Sequence, residues 1–96
     1  MPLYAVLGSW TEEGIRAAKQ SPQRTEAFRR AVEGAGGRVL SLLHTMGAYD
    51  LVATLEVPSD EAANELMLRL GMQGFVRTTT LKGWSEADFA HLAQKL

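Results

Sequence analysis

The chain has 96 residues, a formal net charge of −1 and no cysteine. This length suits one small domain, residues 1–96, and the missing cysteines exclude disulfides, thiolate catalysis and cysteine-based metal sites. Acidic and basic residues are interspersed, which argues against a basic surface for nucleic acid. The N-terminus lacks the features of a signal peptide, and no apolar run approaches the roughly 20 residues of a membrane span. We therefore expect a cytoplasmic protein with no nucleic-acid or membrane partner.

The first third of the chain predicts a strand followed by two helices. Residues 3–10 form a strand with two apolar faces, one with Leu3, Ala5 and Leu7 and the other with Tyr4, Val6 and Trp10. Thr11 is the expected N-cap of a short helix, because two glutamates follow it in the first turn. A new helix is expected at Ser21-Pro22, because proline is tolerated best at the first helical position.

The second helix carries an apolar stripe at helical spacing, which we expect to be buried. The stripe consists of Ala27, Phe28, Ala31, Val32 and Ala35. Its charged side chains, including Arg24, are expected to stay in water, and three glycines between residues 34 and 37 end the helix.

Two apolar segments around Gly47 and Asp50 predict a β-hairpin. In the first, from residue 38 to about 46, the alternation assigns Val39 and Leu43 to one face and Leu40, Leu42 and Met46 to the other. In the second, from residue 51 to 57, the inward residues are Leu51, Ala53, Leu55 and Val57.

The last part of the chain predicts a helix, a strand and a final helix. Ser59-Asp60-Glu61 begins the helix whose buried stripe is Ala62, Ala63, Leu66, Met67 and Leu70. The strand, residues 75–84, is rich in threonine, which favours a position at the sheet edge. The final helix starts at Ser85 and has an apolar stripe of Phe89, Leu92, Ala93 and Leu96.

The order of elements predicts an α+β protein of the ferredoxin-like βαββαβ type, with a four-stranded antiparallel sheet and an additional C-terminal helix. Both crossover helices of this fold cover the same sheet face. The opposite face would expose large apolar side chains of the first two strands, which is typical of an interface. We therefore predict a homodimer formed sheet to sheet, or a higher oligomer, with the C-terminal helix or Trp84 helping to cover the interface.

Several segments together resemble the GYD-domain family, a group of small bacterial proteins related in fold to the dimeric α/β-barrel superfamily. The resembling segments are residues 4–8, 11–16, 19–24, 45–50 and 74–81. The residues that match the Gly-Tyr-Asp motif are Gly47, Tyr49 and Asp50, with one residue between the glycine and the tyrosine. The resemblance implies the fold but no established activity, because the superfamily includes monooxygenases, haem proteins, isomerases and ligand-sensing domains.

Tyr49, Asp50 and Arg77 are the first candidates for a site. A phenol and a carboxylate at a sheet rim can position a polar ligand or act as acid and base. In the structural alternative, Asp50 forms the turn and Tyr49 packs its ring. Arg77 can hold a carboxylate ligand by its fork geometry, or it forms an ion pair with Asp50 if the fold brings the two together.

His44 is the remaining candidate, either as a proton shuttle or as an axial haem ligand. The alternative is a histidine held by a hydrogen bond in the core or at an interface. Only one other histidine, His91, is present, so a multi-histidine metal site has little support, and the glycines match no phosphate-binding loop. We expect neither a metal ion nor another cofactor.

Two functions fit these observations, and a role in assembly without any ligand stays open. The first is a homodimeric small-molecule-binding or regulatory module whose ligand-binding residues are Tyr4, His44, Tyr49, Asp50 and Arg77. The alternative is a cofactor-independent oxygenase or isomerase of the dimeric α/β-barrel type. In that enzyme His44 or Asp50 would act as the catalytic base, and Tyr49 or Arg77 would orient the substrate.

Overall fold

The computed structural model describes residues 1–96 and contains four strands and four α-helices. The strands are β1 (Leu3–Trp10), β2 (Arg38–His44), β3 (Leu51–Glu56) and β4 (Val76–Gly83). The helices are α1 (Glu12–Arg16), α2 (Ser21–Gly34), α3 (Asp60–Met72) and α4 (Glu86–Ala93), with a 3₁₀-helix at Ala18–Gln20. None of the helices is long and apolar enough to cross a membrane.

The strands form one antiparallel sheet in the order β2-β3-β1-β4. This order and the sequence of elements confirm the ferredoxin-like fold. The long central strand β1 pairs with both neighbours, so that Tyr4 lies opposite Leu55 on one side and Lys82 on the other. As the threonines predicted, β4 is an edge strand, and β2 forms the other edge.

One hydrophobic core lies between the sheet and the helices α2 and α3. Its most buried members are Val6, Val32, Ala53, Leu55 and Val57. The predicted inward face of β3 is therefore confirmed, and so is the stripe of α3, where Ala63, Leu66 and Met67 are buried.

The predicted stripe of α2 is only partly right. Phe28 and Val32 are buried and Ala35 is half-buried, but Ala27 and Ala31 are exposed. The sheet and α3 contact a narrower stripe of the helix than the helical spacing of its apolar residues suggested. An exposed alanine costs little, because its side chain has a small apolar area to remove from water.

The predicted faces of β2 are wrong, because the strand contains a register shift between Val39 and Ser41. In such a bulge two residues oppose one on the neighbouring strand, so the alternation reverses after Leu40. Val39 and Leu42 consequently share the core face, opposite Leu55 and Ala53, while Leu43 lies opposite Val52 on the other face. Met46 lies beyond the end of the strand and is fully exposed.

The other sheet face, here called the open face, has no helix on it. Its side chains come from the residues that alternate with the core residues, including Leu3, Ala5, Leu7, Leu43, Val52, Thr54, Thr79 and Leu81. The final helix α4 leaves the sheet at Trp84 and packs extensively on no other element. Its Ser85 cap is confirmed, since the hydroxyl accepts the Asp88 N–H at 3.1 Å, but its apolar stripe is exposed.

Adding a methyl group should have opposite effects on the free energy of unfolding at two glycines that lie in helices. A Cβ atom on Gly14 would lie 1.9 Å from the carbonyl oxygen of Phe75, whereas one on Gly34 would meet no atom within 4 Å. We expect Gly14→Ala to lower the free energy of unfolding by at least about 2 kcal/mol. Gly34→Ala should raise it by about 0.5–1 kcal/mol, because alanine loses less backbone entropy in a helix.

Urea unfolding followed by circular dichroism measures both changes. The close packing of α1 on Phe75 would be contradicted if Gly14→Ala were as stable as the unmodified protein.

Candidate functional site

Asp50 fastens the β2–β3 connection to the end of β1. Its carboxylate accepts the backbone N–H of Trp10 at 2.9 Å, and its own N–H donates to the carbonyl oxygen of Gly8 at 2.8 Å. Within the connection, the Thr45 hydroxyl donates to the carbonyl oxygen of Tyr49 at 2.7 Å, and Gly47 has a φ of 114°. Such a φ strains any residue with a side chain, so the turn requires glycine here.

Arg77 and Asp50 form no ion pair. Arg77 lies opposite Ser9 and therefore points to the open face, whereas the Asp50 carboxylate is turned towards the Trp10 N–H. Asp50 precedes β3, and Arg77 belongs to β4 on the other side of β1, so about two strand spacings, roughly 10 Å, separate the arginine from the carboxylate. The ion pair between Arg77 and Asp50 that the sequence suggested is therefore absent.

Tyr4 belongs to a polar cluster with two residues that the sequence analysis did not select. Its ring is buried in the core, and its hydroxyl donates to Oδ1 of Asp60 at the start of α3. Lys82 Nζ lies 2.9 Å from the same carboxylate oxygen. Burial and the Asp60 hydrogen bond raise the pKa of Tyr4 to about 12, while the bonds from Tyr4 and Lys82 lower the pKa of Asp60.

A cleft of about 50 Å³ lies between the sheet, the first turns of α2 and the end of α3. We call it the α2 cleft. Its apolar wall includes Trp10, Phe28, Leu42, Leu51 and Phe75. His44 lines this cleft from the end of β2, with its Nε2 3.4 Å from the Thr25 hydroxyl.

Arg24 also lines the α2 cleft, although the sequence pattern predicted that it would stay in water. Its guanidinium lies over the ring of Phe75, with Cζ 4.4 Å from the ring centre. One terminal nitrogen, Nη1, donates to the carbonyl oxygen of Ala17 at 3.0 Å, and the other, Nη2, is buried without a hydrogen-bond partner. The sequence analysis missed Arg24 because Phe75 is distant in the chain and the pattern of α2 does not reveal it.

The five predicted site residues therefore do not share one cavity. The α2 cleft contains His44, and a separate pocket of about 170 Å³ contains Tyr4 with Asp60 and Lys82. Arg77 has the register of the open face and also lines a groove between α3 and the edge strand β4. Their roles in binding stay predictions. No three His, Asp or Glu side chains are grouped in a way that would hold a metal ion.

The strand order and the helices on one sheet face define a ferredoxin-like α+β protein. The sequence model of the GYD domain matches residues 4–93, so the chain belongs to the GYD domain family, as the motif residues indicated. It is 30% identical over 89 residues to a protein of Thermus thermophilus named glutamine synthetase and cystathionine beta-lyase binding protein, covering 92% of this chain and 94% of that protein.

A crystal structure of the protein TTHA0845, also from Thermus thermophilus, has the same fold. Its TM-score is 0.54, at 23% sequence identity, and the match covers 88% of this chain and 94% of that one. At this identity the likeness shows the fold alone.

The Tyr4 cluster predicts a specific dependence of stability on pH. Because the folded pKa of Tyr4 is raised from 10.0 to about 12, the stability that its neutral hydroxyl contributes is present below pH 10 and is lost as the pH rises towards 12. Tyr4→Phe should lower the free energy of unfolding by about 1 kcal/mol at neutral pH, since Asp60 is exposed and the bond is partly screened. The difference from the unmodified protein should shrink above pH 10.

Urea unfolding at a series of pH values measures this difference. Tyr49→Phe is the matched control, because Tyr49 lies in an exposed loop and should change stability little at any pH. A difference for Tyr4→Phe that stays constant between pH 7 and 12 would contradict the role of the hydroxyl.

Proposed function

We propose that the protein is a homodimeric regulatory module that acts by binding another protein, and that it works in the cytoplasm. The main support for a dimer is the apolar open face of the sheet. Cross-strand pairing aligns Leu7, Val52 and Leu43 in one row across three strands. Leu43 is 64% exposed and Leu81, at the other edge of the sheet, is 51% exposed. A contiguous apolar surface of this kind is typical of a protein interface.

The accessible surface supports a partner of considerable size. A compact monomer of 10.5 kDa is expected to expose about 5,400 Å², whereas this chain exposes 6543 Å², an excess of about 1,100 Å². A stable interface of standard size removes about 800 Å² from each partner. The excess, to which the projecting α4 contributes, is therefore enough for one such interface.

A second copy of the chain fits the open face because this face presents little uncompensated charge. Arg38 Nε and Glu56 Oε1 lie 2.7 Å apart, and the hydroxyls of Ser41 and Thr54 are hydrogen-bonded at 2.6 Å. Two such faces can meet with few unpaired polar groups, which would otherwise cost free energy on burial. Arg77, the remaining charge, lies near the start of β4.

The C-terminal helix is proposed to extend the same interface. The start of α4 forms a groove with Leu3 and Gly83, two residues of the open face. Its apolar stripe, Phe89, Leu92 and Leu96, is exposed. In the proposed dimer each α4 contacts the other protomer, so the stripe is removed from water along with the sheet.

The relative from Thermus thermophilus is the basis for the proposed protein partner. That relative is named as binding glutamine synthetase and cystathionine beta-lyase, and the match spans almost the full length of both chains. We propose that this chain likewise binds one or both of these enzymes. A regulatory role would then follow from the effect of binding on the partner enzyme.

The oxygenase or isomerase alternative has less support from the geometry. It needs a base and a group that orients the substrate in one closed pocket. The Asp50 carboxylate is bonded to the Trp10 N–H, and Arg77 and His44 lie on opposite faces of the sheet. Of the proposed catalytic and substrate-orienting residues, only His44 lines the α2 cleft.

Two matched substitutions test the dimer. Leu81→Glu places a charge on the open face, and Leu68→Glu places one on the outer surface of α3, where Leu68 is similarly exposed. Light scattering after size-exclusion chromatography should give twice 10.5 kDa for the unmodified protein and for Leu68→Glu. Leu81→Glu should be a folded monomer, since burying an unpaired charge is costly. An unmodified protein that is monomeric, or a Leu81→Glu dimer, would count against the proposed interface.

Binding to the partner enzymes needs a separate experiment. The protein is immobilised, and purified glutamine synthetase and cystathionine beta-lyase from the same organism are passed over it, with an unrelated enzyme as control. We expect saturable binding of at least one of the two and none of the control. If neither enzyme binds, the proposed partner is wrong, whatever the oligomeric state.

A further inference from the structure

We propose that the groove between α3 and the edge strand β4 binds an extended segment of the partner protein, which adds to the sheet as a fifth strand and ends in a carboxylate. This binding mode rests on the proposed function, in which the chain binds another protein. The groove, here called the β4 groove, has a volume of about 530 Å³. Its main residues are Met67, Leu68 and Met72 of α3 and Arg77, Thr78 and Thr80 of β4.

The backbone of β4 presents hydrogen-bonding groups along its outer edge. The Thr11 N–H donates to the carbonyl oxygen of Phe75, so the odd-numbered residues of β4 direct their backbone groups at β1. This direction alternates along a strand, so the N–H and carbonyl groups of Thr78, Thr80 and Lys82 point away from β1. They point to the side on which β4 has no neighbouring strand.

The edge of β4 suits strand addition better than the edge of β2. Every residue from Val76 to Gly83 pairs with β1 without a bulge. In β2 the register shift between Val39 and Ser41 disrupts the edge. At about 3.4 Å per residue the β4 edge is about 27 Å long, which matches an extended segment of about eight residues.

The helix side of the groove selects apolar side chains. Alternate side chains of an added strand would face α3. There Leu68 is 60% exposed and Met72 is 84% exposed, so covering them removes apolar surface from water. Strand addition beside a helix therefore favours a segment with apolar residues at alternate positions.

Arg77 gives the groove its preference for a carboxylate. Its side chain is exposed, lines the groove and forms no ion pair within the chain. Because Arg77 lies at the start of β4, an antiparallel strand would place its C-terminal end beside it. A carboxylate at that end matches the guanidinium fork. At the other end of the groove, Lys82 is already paired with Asp60.

A second copy of the chain is a poorer occupant of the β4 groove. Antiparallel pairing of two β4 edges would bring Arg77 of each copy towards Lys82 of the other and supply no free carboxylate, and basic residues on an edge strand protect against such self-pairing. The groove opens on the helix-covered side of the sheet. The proposed dimer, which joins the open faces, therefore leaves it accessible.

Peptide selection tests the groove without the partner enzymes. A phage-displayed library of random peptides about ten residues long, with free C-termini, is selected on the immobilised protein. We expect enriched peptides with alternating apolar residues and a carboxylate at the C-terminal end. A synthetic copy with its carboxylates replaced by amides should bind at least about tenfold more weakly. No enriched peptide, or equal binding of the two forms, would overturn the proposal.

Two pairs of variants locate the binding site. Thr80→Pro removes an outward N–H at a position where an edge strand tolerates proline, whereas Thr80→Val keeps that N–H. Arg77→Gln removes the cation of the groove, and Arg30→Gln removes an exposed one from α2. Peptide affinity should fall at least about tenfold in Thr80→Pro and Arg77→Gln and stay unchanged in the other two. Equal affinity in all four variants would overturn the assignment.

NMR shifts of backbone amides decide if circular dichroism shows that Thr80→Pro is unfolded. In the unmodified protein the selected peptide should shift the amides of Thr78, Thr80 and Lys82 and leave those of α2 unchanged. Shifts confined to other surfaces would overturn the β4 groove.

The same variants distinguish the groove from the proposed partner enzymes. If an enzyme binds the unmodified protein and folded Thr80→Pro equally well, the partner is supported and the groove is overturned. If selected peptides bind in the groove but neither enzyme binds, the groove is supported and the named partners are wrong. Leu81→Glu should keep its peptide affinity, because the Leu81 side chain lies on the open face.

Discussion

The central strand β1 is apolar on both faces, and Leu43, Val52 and Leu81 extend its open face, but α2 and α3 cover only the other one. Burying one large apolar side chain is worth roughly 1.5–3 kcal/mol, so the open face leaves a sizeable free energy unused in the isolated chain. The molecule is elongated and flat, with principal extents of 49 × 30 × 18 Å. The Cα radius of gyration is 14.3 Å, compared with about 12.5 Å expected for a compact domain of this length. A second copy on the open face would complete a second core without any change of fold.

The Gly-Tyr-Asp motif has a clear structural role in this arrangement. Gly47 adopts a backbone conformation that other residues avoid, and Asp50 joins the connection to the end of β1 through its side chain and its backbone. The carbonyl oxygen of Tyr49 is held by Thr45, while its side chain stays partly exposed. The motif thus positions β3 against β1, and the α2 cleft begins next to it at Leu51.

The sequence predicted the elements with unbroken patterns and missed what depends on contacts between distant residues. Alternation separated the two faces of β1 and identified the core face of β3, but it failed in β2, where the sequence pattern does not reveal the bulge at Leu40. The candidate site was harder to predict from the sequence than the fold. Arg24 looked like a solvent-exposed residue because Phe75 reaches it only in the folded chain. The partner of Tyr4, Asp60, likewise lies 56 residues away.

The most direct test of the account is an isotope-filtered NOE experiment on a mixture of labelled and unlabelled protein. Contacts between protomers should link the methyl groups of Leu7, Val52 and Leu81, because the proposed interface joins the open faces. Observation of these contacts would establish how the second face of the sheet is covered. The account would be contradicted by the absence of contacts between protomers, or by contacts confined to the outer surfaces of α2 and α3.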